Sequence, residues 1–394
     1  MRESWRWFCP NDPVSLDEIR QTGATDIVSA LHDIPIGQAW PADAIAQHKQ
    51  LIEAGNQAGS ELGWTVVESI PVHEDIKLAA PGHEKYIGSW IESLTHLGAA
   101  GIKTVCYNFM PVIDWTRTDL KHQMPNGVIA LRFDQDQFAA FDLFILERAD
   151  AAKDYNAGEI ARAKSAYDAM NEQDMATLTE TIIAGLPGKM TEAYGLDDFR
   201  KALARYEGIN HAALRGNLIA FLEKVLPHAQ RAGIKLAIHP DDPPWDMFGL
   251  PRIICTPKDL DVLFGALPNP SNGMTLCVGT YGSRPDNDLP QMAKDFSERI
   301  HFAHLRGVSR DPQEPRSFVE ANHLESDIDM IGVIRNLLLN EKNLQREIFI
   351  RPDHGHLMMA DLEKAKGNPG YSGIGRMKGL AEVRGVIKAL SQTA

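Results

Sequence analysis

The run Ile234-Lys235-Leu236-Ala237-Ile238-His239 has the pattern of a buried β-strand that ends in a residue able to bind a metal. Three further runs share this pattern: Met274-Thr275-Leu276-Cys277, Ile300-His301-Phe302-Ala303-His304 and Ile348-Phe349-Ile350-Arg351-Pro352-Asp353. In a barrel of parallel strands, the C-terminal strand ends meet at one rim, where the chemistry of such proteins is found. Four candidate ligands at four strand ends therefore indicate a metal site on the rim of a barrel.

The same alternation of apolar run and polar stretch extends back to the start of the chain. Helical signals separate the runs, such as the capping box of Ser15 and Glu18, the helix opened by Pro41 and the apolar stripe over Ile328–Leu339. We therefore predict an α/β fold, a (β/α)8 TIM barrel formed by residues 1–394 as one domain. Its eight strands are predicted at Trp5–Phe8, Asp26–Leu31, Thr65–Ile70, Thr104–Met110, Lys235–His239, Thr275–Val278, His301–Leu305 and Glu347–Arg351.

One interval is too long for a simple crossover between strands. More than a hundred residues separate Met110 from Ile234, and the part from Asp134 to Leu186 has apolar residues at helical spacing. We predict a helical insertion after the fourth strand, covering approximately residues 114–200. Loops on that side cover the rim, so the insertion is expected to act as a lid or subunit contact, or to be a structural elaboration only.

Composition limits the classes of partner. The net charge of −13 disfavours nucleic acid and anionic membranes, while local arginines still allow a small acidic substrate. The four cysteines are far apart and form no Cys-x-x-Cys pair, which favours a reducing compartment. No apolar signal segment opens the chain and no run reaches the ~18 apolar residues of a membrane span, so we expect a cytoplasmic protein.

Strand parity supports a metal centre formed by His239, Cys277, His304 and Asp353. Side chains alternate between the two faces of a strand, so these residues would face the barrel interior while the isoleucines and leucines between them face the helices. Taken singly, each has a simpler explanation: a core histidine, a small core cysteine or a helix-capping aspartate. Together, a set of sulfur, nitrogen and oxygen donors suits Mn, Fe, Co or Zn better than Mg or Ca.

Charged and aromatic residues near these strand ends are candidates for substrate contact or proton transfer. Arg306, Arg351 and Arg284 could bind a carboxylate bidentately, or could instead form salt bridges with Asp241, Asp242 or Asp353. His354 and His356 could act as acid or base groups. Tyr371 lies in a loop rich in glycine and proline, where an aromatic residue either anchors the loop or brings a phenol to the site.

Long segments of the chain resemble mannonate dehydratases of the hexuronate-degradation type, a family with a xylose-isomerase-like barrel. The resemblance runs from end to end and is carried by Trp5-Arg6-Trp7-Phe8, Pro10–Leu16, Val67–Lys77, Thr104–Val112, Asp114–Asp119, His239–Pro244, Arg351–His356 and the Tyr371 loop. Cys9 stands where the family is expected to have glycine. A small residue is kept there.

The resemblance implies a lyase that uses Mn2+ or Fe2+ to convert D-mannonate to 2-dehydro-3-deoxy-D-gluconate and water. It implies the same four metal ligands, with His354 and Tyr371 as the catalytic pair, although which is the acid and which the base stays open. Asn108 joins the three arginines as a substrate-binding candidate. We expect a homo-oligomer, with a dimer favoured.

Two other functions compete with this one. A metal-dependent sugar isomerase or epimerase on the same barrel would favour several carboxylates around the metal, whereas the set predicted here has only one. A non-catalytic protein that binds a sugar acid or a metal would need no His354 and Tyr371 pair, and would bind mannonate without turnover.

Overall fold

The computed structural model describes residues 1–184, 195–364 and 367–392. Eight parallel strands close into a barrel, as predicted, because the first strand pairs with both the second and the last. Around the barrel they are β1 (Arg2–Arg6), β2 (Asp26–Ser29), β3 (Gly63–Glu68), β4 (Thr104–Tyr107), β7 (Lys235–Ile238), β8 (Asn272–Cys277), β9 (Ile300–His304) and β12 (Phe349–Arg351). All strand ends lie within three residues of the predicted ones, and β1 both starts and ends earlier than expected.

Helices cover the outside of the barrel and follow the predicted signals. Ser15 caps the first helix and forms the expected capping box with Glu18. The helices of the barrel are α1 (Leu16–Thr22), α2 (Ala42–Glu53), α3 (Glu74–Lys77), α4 (Glu84–Ala99), α9 (His211–Arg231), α10 (Pro257–Ala266), α11 (Val278–Gly282), α12 (Leu289–Asp295), α13 (Met330–Leu344) and α14 (Gly373–Ser391). No helix in the described part of the chain is both long and apolar enough to cross a membrane.

The barrel interior is filled by a small cluster that is separate from the core under the helices. It consists of buried side chains from five strands, with Phe349 packed against them: Val28, Val66, Cys106, Ala237 and Phe302. Because side chains alternate along a strand, the residues two positions further on point the same way at the rim. This parity places Glu68, His239, His304 and Arg351 on the inner face of the C-terminal rim.

The segment between β4 and β7 differs in part from the predicted helical insertion of residues 114–200. Its first part is an antiparallel hairpin, β5 (Asp119–Gln123) and β6 (Ile129–Phe133). The expected helices follow as α5 (Gln135–Ala140), α6 (Ala157–Asp168), α7 (Glu172–Ile183) and α8 (Leu196–Ala204), while residues 185–194 lie outside the described residues. The first strand of the hairpin, β5, escaped prediction because it is polar and partly exposed, whereas β6 is a short apolar strand that falls within the predicted helical insertion.

The hairpin belongs to a second sheet on the rim. It joins β10 (Gly307–Arg310) and β11 (Phe318–Ala321), which follow β9, in the order β10-β11-β6-β5. We call these four strands the accessory sheet. Phe133 of β6 stacks on Phe318 of β11, with ring centroids 5.8 Å apart. The accessory sheet therefore ties the segment after β4 to the segment after β9, above the carboxyl ends of the barrel strands.

Candidate active site and metal centre

Three of the four predicted ligands come together at the ends of β7, β8 and β9. Donor atoms of His239, Cys277 and His304 all lie within 4.8 Å of one another. Nδ1 of His239 is 2.7 Å from the carbonyl oxygen of Pro240, which can only accept, so Nδ1 carries the hydrogen and Nε2 keeps its lone pair. Sγ of Cys277 is buried and 3.1 Å from the hydroxyl of Thr280. The tautomer of His239, in which Nδ1 donates to a backbone carbonyl, is the usual state of a metal-binding histidine.

The fit of this group to a metal ion rests on a buried nitrogen. Nε2 of His304 is inaccessible to solvent and has no hydrogen-bond partner of good geometry among the described residues. Buried polar atoms are rarely left in this state. Two imidazoles and a thiol are also the donors that borderline divalent metals prefer. The residues present therefore fit a transition-metal ion.

Asp353 lies beside this group but outside it. Its carboxylate is 3.7 Å from Sγ of Cys277 and 3.7 Å from Nδ1 of His304. The oxygens also face Nη1 of Arg351 at 2.7 Å and Nε of Arg306 at 3.3 Å. Burial alone would raise the pKa of Asp353, but Arg351 and the other nearby cations hold this pKa well below its usual range. The carboxylate is thus ionised at neutral pH and adjacent to the three donors.

A second donor group shares His304 and was not predicted. It adds Glu68 from the end of β3 and Cys106 from β4. Glu68 Oε2 is 3.5 Å from Nε2 of His304, and the Glu68 carboxylate binds Arg351 bidentately at 2.9 and 3.1 Å. Glu68 follows Val66 by two positions and therefore shares its inward face, but the predicted strand Thr65–Ile70 does not end at Glu68.

His354 and Tyr371, the predicted catalytic pair, lie in contact. Their ring centroids are 4.9 Å apart and nearly perpendicular. His354 is buried, and its Nδ1 lies 2.9 Å from a carboxylate oxygen of Glu320. The ring of Trp115 flanks His354 from the loop after β4, with a centroid distance of 6.4 Å. The structure therefore brings the two predicted residues together beside the strand ends.

Tyr371 sits among aromatic and cationic groups. Its ring packs edge-on against Phe8 at 4.6 Å, and the guanidinium groups of Arg351 and Arg376 lie 5.8 and 5.3 Å from its centroid. Burial raises the pKa of the Tyr371 phenol, and this effect exceeds the opposing effect of Arg351. The phenol is therefore protonated at neutral pH.

Arg306 is buried and forms ion pairs with several protein groups. Its guanidinium contacts Asp242 at 3.2 Å, Glu320 at 2.8 Å, Asp353 at 3.3 Å and the hydroxyl of Thr280 at 3.1 Å. These are the salt bridges that the sequence offered as the alternative to substrate contact. Arg351, bound to Glu68 and Asp353, is in the same state.

Arg284 is not brought to this group. It pairs with Asp286 and donates to the carbonyl oxygen of Pro244 at 3.1 Å. It lines a separate cavity of about 620 Å³ together with Trp245 and Arg252.

Asn108 and His356 also have protein partners. Asn108 follows β4 and hydrogen-bonds the carboxylate of Asp114. Nε2 of His356 is 2.7 Å from the carbonyl oxygen of Glu320, so it donates to the backbone of the accessory sheet. This contact gives His356 a structural role that its sequence position did not indicate.

Arg306 belongs to a buried network of ion pairs. Its other members are Arg117, Asp242 and Glu320, which were not predicted as site residues. Arg117 is fully buried and binds Asp242 and Glu320, each at 2.8 Å. Burial would raise the pKa of Glu320, but the charges of His354, Arg306 and Arg117 lower it to about 2. The pKa of Asp242 is likewise held below its usual range by Arg117 and Arg306. Arg117 and Asp242 lie within segments that carry the family resemblance, whereas Glu320 has no signal in the sequence.

Comparisons with known proteins agree with this geometry. Residues 1–394 match the family described as UxuA: D-mannonate dehydratase (UxuA). The mannonate dehydratase of Chromohalobacter salexigens is 52% identical over 398 residues, with 100% of each chain covered. The crystal structure of mannonate dehydratase from Streptococcus suis serotype 2 is 33% identical, has a TM-score of 0.77 and covers 100% of this chain and 94% of its own.

A more distant structure shares the fold alone. A xylose isomerase-like TIM barrel protein from Mycobacterium smegmatis, in complex with magnesium, is 12% identical with a TM-score of 0.50, covering 95% of this chain and 87% of its own. The match of the whole chain to one family, together with the full-length likeness to its characterised members, confirms the resemblance seen in the sequence. The chain belongs to the D-mannonate dehydratase family.

Proposed function

We propose that the chain is a metal-dependent hydro-lyase that converts D-mannonate to 2-dehydro-3-deoxy-D-gluconate and water in hexuronate catabolism. The observation that carries the metal site is the convergence of His239, Cys277 and His304 within 4.8 Å, with the ionised Asp353 beside them. We propose these four residues as the ligands of Mn2+ or Fe2+. The thiolate favours such metals over Mg2+, which prefers oxygen donors.

The reaction needs an acid, a base and a means of stabilising negative charge. The C2 proton of mannonate is very weakly acidic because it lies next to a carboxylate. A divalent ion, when bound, acts as a Lewis acid toward the charge that develops on the substrate. The C2–H electron pair becomes the C2=C3 bond as the C3–O bond breaks, and the enol then tautomerises to the 2-keto product.

We assign the two proton transfers to His354 and Tyr371. They are in ring contact with each other, and Tyr371 is protonated at neutral pH and so able to donate. One residue takes the C2 proton, and the other protonates the departing C3 hydroxyl so that it leaves as water.

We propose Arg306, Arg351, Asn108 and Arg284 as the residues that contact the substrate. Arg306 and Arg351 lie against Asp353, so a substrate carboxylate at the metal site would be within their reach. Asn108 lies at the end of β4 on the same rim. Arg284 has the weakest support, because it lines the separate cavity.

Compartment and assembly are also proposals. All four cysteines are free, which is the usual state of thiols in a reducing compartment and supports a cytoplasmic enzyme. We propose a homodimer, which sedimentation of the purified protein would test.

A mannonate assay on metal-loaded and chelated protein tests the function. Activity, followed as formation of a 2-keto-3-deoxy acid, should vanish with chelator and return with Mn2+ or Fe2+ but not with Mg2+.

Cys277→Ser should fold normally and bind metal more weakly, because a hydroxyl is a poor substitute for a thiolate. Cys255→Ser removes a buried thiol outside both donor groups and should keep wild-type metal content. Full restoration by Mg2+ alone would rule out the mixed donor set.

A further inference from the structure

Glu320 reaches the active site from outside the barrel. It lies on β11 of the accessory sheet, and its side chain is buried. Both carboxylate oxygens approach Nδ1 of His354, at 2.9 and 3.0 Å. Because an ionised carboxylate can only accept hydrogen bonds, Nδ1 must carry the hydrogen.

The guanidinium of Arg306 is the one competing partner for this nitrogen among the described residues. Its Nη1 is 3.1 Å from Nδ1 of His354 and 2.8 Å from Oε1 of Glu320. If Arg306 donated to Nδ1, the lone pair of that nitrogen would also face two carboxylate oxygens within 3.0 Å. The arrangement in which Nδ1 donates to Glu320 and Arg306 donates to Glu320 satisfies all three groups.

Glu320 is itself held firmly in place. Arg117 and Arg306 each donate to Oε1 at 2.8 Å, so the carboxylate is fixed between two guanidinium groups. The backbone of Gly370 packs directly against the ring of His354 and so confines it. A Cβ on Gly370, whose φ is +82°, would lie only 2.7 Å from Cγ of His354. The described residues provide no hydrogen-bond partner for Nε2 of His354, so this nitrogen is left for another molecule.

We propose that Glu320 is a positioning residue that fixes His354 as the Nδ1–H tautomer and so makes Nε2 the base that takes the C2 proton. Tyr371 is then the acid that protonates the C3 hydroxyl. Nε2 gains the proton, the C2–H pair forms the C2=C3 bond, and water leaves C3 with the Tyr371 proton. This assignment rests on the proposed dehydration and extends it by making His354 the base and Tyr371 the acid.

A double-mutant cycle tests whether Glu320 acts through His354. Glu320→Gln should lower kcat by roughly 10²-fold and leave KM within about twofold, since a misassigned tautomer removes the base but not the binding site. In a His354→Asn background the same change should have no further effect. Glu320→Asp, which keeps the charge, should recover part of the rate. An equal loss from Glu320→Gln in both backgrounds would overturn the proposal.

Asp242→Asn is the matched control. Asp242 contacts Arg117 and Arg306, as Glu320 does, but it makes no contact with His354. Its effect on kcat should therefore be the same with or without His354. Coupling to His354 as strong as that of Glu320 would show that the arginine network, and not the Glu320 contact, controls the base.

Nitrogen-15 NMR of histidine-labelled protein gives a readout that does not depend on turnover. His354 should show a protonated Nδ1 and an unprotonated Nε2 in the wild type and in Asp242→Asn. In Glu320→Gln the Nε2–H tautomer should appear, because the amide can donate to Nδ1. A neutral wild-type His354 with its proton on Nε2 would overturn the proposal even if no variant folded. Failure of the wild type to dehydrate mannonate would instead count against the proposed function.

Discussion

The buried Nε2 of His304 is the atom that most favours a metal ion at the proposed site. Leaving a buried polar atom without a hydrogen bond costs ~1–3 kcal/mol. Nε2 has Glu68 Oε2 at 3.5 Å but no partner of good geometry among the described residues. A bound cation would supply the missing partner, and its charge would be balanced by the thiolate of Cys277 and the carboxylates of Glu68 and Asp353.

His354 and Tyr371 should be needed for turnover but not for metal or substrate binding. His354→Asn and Tyr371→Phe should each lower kcat by roughly 10²–10⁴, the usual contribution of general acid–base catalysis. Metal content and substrate affinity should remain near wild type, because neither residue is a proposed ligand. Exchange of the C2 hydrogen with solvent, followed by NMR, should be lost in the variant that lacks the base. Wild-type turnover in both variants would assign proton transfer to another group.

Which site residues the sequence could locate depended on how each one reaches the rim. His239, Cys277 and His304 end barrel strands, so strand parity was enough to place them on one face. Glu68 obeys the same rule, but it was missed because the third strand was predicted to run on to Ile70, whereas it ends at Glu68. Glu320 could not be found in this way, because it lies on the accessory sheet, which is itself brought to the barrel by tertiary contacts.

The short helix α11 supports the arginine network at the scale of one element. A Cβ on its Gly279 would overlap Nε of Arg306 and lie 2.9 Å from Cζ. Gly279→Ala should therefore displace Arg306 and lower kcat/KM. Gly385→Ala is the control, since no atom lies within 4 Å of a Cβ there, and it should stabilise α14 by about 0.5–1 kcal/mol. Chemical denaturation and kinetics check both, and wild-type kinetics for Gly279→Ala would show that Arg306 can shift freely.

Arg117 connects the loop after β4 to the accessory sheet, and its removal tests that connection. Arg117→Ala leaves Asp242 and Glu320 without a buried partner, so the free energy of unfolding should fall by about 3–5 kcal/mol. Arg162→Ala breaks exposed pairs with Asp136 and Glu314 and should cost only ~0–1 kcal/mol. Equal losses, measured by denaturant unfolding, would contradict the difference in burial.

The elements themselves differed in how well the sequence predicted them. All eight barrel strands were predicted, most of them from short apolar runs that are buried in the barrel, although β1 itself is Arg2-Glu3-Ser4-Trp5-Arg6. In the hairpin, β5 is polar and partly exposed, whereas β6 has the short apolar run Ile129-Ala130-Leu131. The Asn126-Gly127 pair between them is a dipeptide typical of hairpin turns and is the local signal that joins the two strands.

At the scale of the whole molecule, the buried carboxylates predict how stability depends on pH. The folded-state pKa values of Glu320 and Asp242 lie below their unfolded values of roughly 4. Their stabilising contribution is therefore present above that value and is lost as the pH falls through the folded pKa values. The part of the melting-temperature decline that these two carboxylates cause should begin at about pH 4 and continue toward pH 2. Glu320→Gln should show a shallower acid decline, and a slope identical to wild type would contradict the lowered pKa.

Closure of the barrel has a consequence for synthesis of the chain. β1 completes its pairing only when Phe349 and Ile350 of β12 reach Arg2 and Glu3, more than 340 residues later. At translation rates of ≈5–20 residues per second, one edge of β1 waits on the order of tens of seconds on the ribosome. An unpaired strand edge is a template for association with other chains. Chaperones should therefore bind the incomplete barrel on the ribosome and be released once β12 has emerged and paired with β1.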